Sequence, residues 1–315
     1  MSKVLRSSLY FLFILIAQAL GPIFLMKLYG AIGITDPKLI LFLNHFIILI
    51  IPAIVFLIIS KEPVKKTLRL KKLHWQDTLL IILLAFIVQP VMNFLSLITV
   101  FFFNNEVGAF VNNIISAPYI LLLAVMALLP AISEEITLRG VILSGYDNKN
   151  RYVAAAITGL FFGILHLDPQ QFLYTAALGF IFALVVRITG SIYSSMIMHF
   201  IINGTSVTLL KVTELLKNIV PIANDTAETT LKNIESSEKL FLFIFYGTLA
   251  VIFSVFVFLI IYWLDKINNK RNLKEGQEEV IQVRNESITY KKERVINIPV
   301  ILAIIFYIGL MILIT

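Results

Sequence analysis
The chain has 315 residues, of which 59% are hydrophobic and only 14% charged, where an ordinary soluble domain carries roughly 25% charged residues; a soluble cytosolic enzyme is excluded. It has no cysteine, which also excludes disulfides, iron–sulfur clusters, thiol nucleophiles and zinc–thiolate sites. The net charge of +7 reads as basic loops on the cytoplasmic face of a membrane, so the expected partner is the lipid bilayer and not nucleic acid.

A membrane-crossing helix needs about 20 mostly apolar residues. In chain order the apolar runs predict spans near 9–28, 39–60, 78–103, 114–132, 151–167, 170–189, 191–212, 241–264 and 298–315. The first run follows Lys3 and Arg6 but continues from Leu9 to Leu28. That is longer than the roughly 7–15-residue core of a signal peptide, so it is read as a retained span. His166-Leu167-Asp168-Pro169 separates the fifth span from the sixth, and Arg187-Ile188-Thr189-Gly190 the sixth from the seventh. The fold class is all-α, a polytopic transmembrane helix bundle of eight or nine spans. Three regions follow: N-terminal spans over 1–113 with a basic loop at 61–77, a candidate catalytic core over 114–212, and 213–315 with a polar, partly helical loop, further spans and a flexible charged loop at 265–297. Nine spans with the N-terminus inside put 20 of the 26 Lys and Arg residues in cytoplasmic segments; Lys27, Lys38, Lys211, Lys217, Lys232 and Lys239 fall outside. This asymmetry is the positive-inside pattern. It places the protein in a cell membrane.

Ionisable residues at membrane depth are costly and need a reason. Three groups of polar residues lie between residues 134 and 203. In Glu134-Glu135-Ile136-Thr137-Leu138-Arg139, the spacing of four puts Glu135 and Arg139 on one helical face as a pair. Glu134 is left on another face without a local basic partner, and such a carboxylate in apolar surroundings suits a general base. His166 ends the fifth span. His199 and Asn203 share one stripe of the seventh, which points them to a bundle interior or a water-filled cavity. Separately, each group is as well explained by an interfacial position or an interhelical hydrogen bond. Together they make a set able to activate water. Glu134 would take the water's proton. His166 and His199 would position the water directly or hold a metal, zinc being the fitting ion. Asn203 would donate to a tetrahedral oxyanion. Neither histidine sits in a His-Glu-x-x-His helix.

The motifs Glu-Glu-x-x-x-Arg at 134–139, Phe-x-x-x-His at 162–166 and His-x-x-x-Asn at 199–203 occur in that order. In this the chain resembles the CPBP (Abi) family of CAAX proteases and bacteriocin-processing membrane proteins, over roughly residues 114–210. The resemblance implies an intramembrane endopeptidase, often called a metalloprotease, acting on a membrane-associated peptide or protein tail. It maps the base to Glu134, the supporting pair to Glu135 and Arg139, the histidines to His166 and His199, and the oxyanion donor to Asn203. It links bacterial members to peptide maturation, bacteriocin immunity and cell-surface phenotypes. The abundance of Ile, Lys, Asn and Phe suggests a low-GC bacterium, for which a prenylated substrate is not expected. The competing readings are a catalytically silent membrane scaffold or regulator and an ion-coupled transporter. One demand follows from the layout. A fourth span ending at residue 132 would leave Glu134 at the inner boundary and His166 near the outer one. A shared site therefore requires the fourth span to run past residue 134, or the fifth to be tilted or re-entrant.

Overall fold
The computed structural model describes residues 1–103, 106–219, 235–274 and 293–314, and every regular element among them is helical. Among the described residues seven helices are long and apolar enough to cross a membrane: α1 (Lys3–Ala31), α2 (Pro37–Ser60), α4 (Trp75–Val100), α6 (Tyr119–Ile142), α8 (Pro169–Thr189), α9 (Tyr193–Ile219) and α10 (Ser236–Lys274). Two shorter apolar helices, α7 (Arg151–Leu165) and α11 (Ile298–Ile314), complete the nine expected segments. Two more helices, α3 (Val64–Thr67) and α5 (Glu106–Ile114), lie in connections.

Several boundaries differ from the sequence reading. The fourth span ends at Ile142 instead of 132, because π-helical turns at Ala124–Leu128 and Ile136–Ile142 carry the helix through its charged stretch. The boundary drawn after residue 113 falls inside α5, and the one after 212 falls inside α9. The charged segment from 265 begins as helix, since α10 runs on to Lys274. The remainder of the two predicted loops, residues 220–234 and 275–292, lies outside the described residues.

The breaks that separate α7, α8 and α9 follow local chemistry. Asp168 caps α8 by accepting from the Gln170 amide at 2.8 Å, and Pro169 occupies the first turn, where its missing N–H costs nothing. Gly190 closes α8 with φ +67°. Between these caps α7 and α8 pack at very short range. A Cβ on Gly159 would lie 2.6 Å from the Phe180 nitrogen, and one on Gly163 would lie 2.9 Å from the Phe172 oxygen. Gly159 and Gly163 thus form a small-x-x-x-small stripe of the kind that lets membrane helices approach backbone to backbone.

One end of the bundle is knit by ion pairs between elements. Arg6 reaches Glu62 at 2.9 Å, Arg69 reaches Asp147 at 2.6 Å, and Arg151 grips both oxygens of Asp265 at 2.6 and 2.8 Å. Arg271 pairs with the buried Asp77 at 2.8 Å. The helix ends joined here are those that the nine-span layout assigns to one side of the membrane.

Candidate active site
The site is built on the middle of α6. Ser133, Glu135 and Arg139 are fully buried there. Arg139 donates from Nη1 to Glu135 Oε1 at 2.9 Å and from Nη2 to the Gly179 carbonyl on α8 at 3.2 Å. Its guanidinium lies 4.4 Å from the Phe162 ring centre and 5.1 Å from that of Phe182. The charge is thus held by a carboxylate, a carbonyl and two aromatic faces, while the buried Nε has no hydrogen-bond partner. Glu135 also accepts from His199 Nδ1 at 3.0 Å.

That last bond sets the chemistry of His199. The Glu135 carboxylate, paired with Arg139, has no hydrogen to give, so the ring donates from Nδ1, and in the neutral ring the lone pair is then on Nε2. His166 is held the same way. Its Nδ1 lies 2.7 Å from the Phe162 carbonyl oxygen, which can only accept, so in the neutral ring Nε2 is again the acceptor. Phe162 packs edge-on to both rings, at 4.8 Å from His166 and 5.8 Å from His199.

Glu134 differs from its neighbour. The Oε2 atoms of both are buried without a hydrogen-bond partner, but Glu134 lines a cavity and faces His199 Nε2 at 3.9 Å, while Glu135 is paired with Arg139 behind it. A single water can touch both groups across such a gap. Glu134, His166, His199 and Asn203 all line one cavity of about 370 Å3, walled by α4 to α9. Asn203 donates to the Met126 carbonyl at 3.2 Å, which orients its amide and leaves a second N–H. The six residues singled out from sequence are therefore brought together: four on the cavity wall, with Glu135 and Arg139 buried behind them. The fourth span, continuing past residue 134, removes the depth mismatch between Glu134 and His166.

For metal, the two imidazole Nε2 atoms and the Glu134 carboxylate are donor types that suit zinc. Among the described residues, however, no group of three or more His, Asp or Glu side chains is close enough to form a ready-made metal cage. Sequence reasoning missed two things. It did not see that Glu135 serves His199 as well as Arg139, which needs the α6–α9 contact. It also left His45 on α2 unassigned, although its ring reaches Ser133 Oγ at 2.7 Å, beside Glu134.

Residues 116–205 match the family model described as type II CAAX prenyl endopeptidase Rce1-like. The matched stretch holds all three motifs and every cavity-lining candidate. The chain is also similar to the curated Bacillus subtilis (strain 168) protein named “Putative membrane peptidase YdiL”, at 32% identity over 84 residues, or 26% of this chain. That match covers 34% of the relative's own length. No solved structure matches the chain. At the level of the family, the similarity is to membrane endopeptidases of the CAAX type.

Proposed function
We propose that the chain is an intramembrane endopeptidase that hydrolyses a peptide bond in a membrane-associated peptide or protein tail. The observation that carries this reading is the convergence of Glu134, His166, His199 and Asn203 on one cavity, with Glu134 Oε2 buried and free of hydrogen bonds. A water placed between Glu134 and the Nε2 atoms of His166 and His199 has one hydrogen directed at the carboxylate and the other at an imidazole. Glu134 removes the first as the oxygen attacks the scissile carbonyl. The second amide hydrogen of Asn203 is available to the oxyanion that forms. As the tetrahedral intermediate collapses, the C–N bond breaks and Glu134 returns the proton to the leaving amine. Arg139 keeps Glu135 ionised, and Glu135 keeps His199 in the tautomer this sequence needs. A divalent metal such as zinc, were it bound, would be held by His166 and His199 and would polarise the carbonyl.

The basic, ion-paired end of the bundle faces the cytoplasm of a bacterial cell membrane in this reading, with the N-terminus inside. The expected service is peptide maturation, bacteriocin immunity or a cell-surface pathway, as in the CPBP resemblance. The test is to express wild type, Glu134→Gln, His166→Ala and His199→Ala in a strain lacking the native protein and to compare membrane peptides by mass spectrometry. The reading predicts a peptide trimmed by wild type and left whole by all three folded variants. Variants that match wild type in every phenotype would instead make these residues structural and the protein a membrane scaffold.

A further inference from the structure
Of the two histidines that the proposed chemistry does not use, His45 and His74, His45 is the one bonded beside the site. It is half-buried on α2, at the last residue before the π-helical turn Phe46–Ile50. Its Nδ1 lies 2.7 Å from Ser133 Oγ, a long-range bond between α2 and α6. Ser133 is fully buried, and its hydroxyl gives its hydrogen to the Leu129 carbonyl at 2.9 Å. The oxygen of Ser133 can then only accept from the imidazole, so His45 donates from Nδ1.

This placement has a consequence for Glu134. Ser133 precedes it on α6, in the stretch between two π-helical turns. Such turns depart from the regular i→i−4 ladder, so the direction of the Glu134 side chain depends on what anchors the stretch from outside. Arg139 and Glu135 anchor one face, toward α8 and α9. On the α2 side the anchor is the His45–Ser133 bond. Resting on the protease reading above, we propose that His45 is a positioning residue for Glu134, acting through Ser133. Its role parallels the outer hydrogen bonds that orient reactive carboxylates and imidazoles elsewhere.

Full-length His45→Ala, His45→Asn and Ser133→Ala proteins in lipid nanodiscs decide the matter through two readouts. The first is kcat and KM for the peptide that wild type trims. The second is the rate at which dicyclohexylcarbodiimide modifies Glu134, located by peptide mass mapping. His45→Ala and Ser133→Ala should each lower kcat by about 10–100-fold with KM unchanged, the loss typical of an outer positioning bond. Both should speed modification of Glu134. Asn carries an N–H close to where Nδ1 stood, so His45→Asn should restore both readouts toward wild type. The proposal is overturned if His45→Ala keeps wild-type kcat and labelling, or if His45→Asn is as impaired as His45→Ala. The labelling needs no proteolysis. Should wild type cut no peptide, the protease reading falls while the labelling rates still decide the role of His45.

Discussion

Replacing Arg139 by Met removes the guanidinium and leaves Glu135 with neither charge compensation nor exposure to water. Both side chains are wholly buried, 2.9 Å apart. Breaking such a pair by removing one partner typically costs about 3–5 kcal/mol, because a buried charge is left alone. At about 1.4 kcal/mol per decade, that is more than a hundredfold in the folded population. The Gly179 carbonyl loses its donor and the Phe162 and Phe182 rings lose their cation in the same step. Met fills much of the volume, so the cavity penalty is small and the electrostatic cost dominates. The double variant Glu135→Leu/Arg139→Met has no charge left to bury, and swaps of that kind are often neutral or stabilising. It should recover roughly 2 kcal/mol or more of the loss. Its peptidase activity should stay absent, because His199 has lost the acceptor that holds its tautomer. Thermal unfolding of purified protein, followed by fluorescence-detected gel filtration, reads the first claim, and peptide trimming reads the second. A double variant no more stable than Arg139→Met, or one that trims at the wild-type rate, would refute the reasoning.

Two further outcomes follow from the packing and the ion pairs. Gly159→Leu forces a Cβ to within 2.6 Å of the Phe180 nitrogen; it should separate α7 from α8 at a cost of about 1–3 kcal/mol. Peptide trimming should fall with it, since Phe162 and His166 ride on α7. Gly309→Ala on α11 meets nothing within 4 Å and should leave both melting temperature and trimming unchanged. At the ion-paired end, hydrogen bonds from Arg6 and then Lys3 hold the Glu62 carboxyl below the usual glutamate range. A depressed carboxylate stabilises the fold above its unfolded-state pKa and loses that contribution as pH falls through the folded value. Wild type should therefore melt above Glu62→Gln by the equivalent of about 1 kcal/mol or less at neutral pH. The gap should close below about pH 4; a gap that persists there argues against the ion pair as its source.

The helical class and the apolar segments among the described residues could be read from apolar run lengths, because a membrane helix must satisfy its backbone internally and cannot be much shorter than the bilayer, whereas the short α3 and α5 could not. The α7/α8 and α8/α9 breaks were legible for a local reason: Asp168-Pro169 and Gly190 are cap chemistry. The end of the fourth span was not legible. Residues 133–139 look like a helix terminus because they are polar, yet they continue α6 through the bundle, since their partners come from other helices. Gly179, His199 and His45 satisfy Arg139, Glu135 and Ser133 from distances of 40, 64 and 88 residues along the chain. Hydropathy along one segment holds no record of such partners. The pairing of Glu135 with Arg139 was legible because it is local, four residues apart on one helix.

The double glutamate makes physical sense once the histidine is placed. Successive residues on a helix are about 100° apart, so neighbouring carboxylates cannot do the same job. Here they address the two nitrogens of one ring: Glu135 meets His199 Nδ1 at 3.0 Å and Glu134 faces Nε2 at 3.9 Å. Arg139 reaches Glu135 and so fixes which carboxylate is the permanent anion. The other lines the cavity without an arginine partner on its own face, which is the placement the proposed base requires. Exchanging the two roles would require the arginine on another face of α6. Moving it one position, as in Leu138→Arg with Arg139→Leu, should therefore abolish trimming even though the composition of the motif is unchanged. Retained activity in that variant would mean that the carboxylates are interchangeable and that the face argument is wrong.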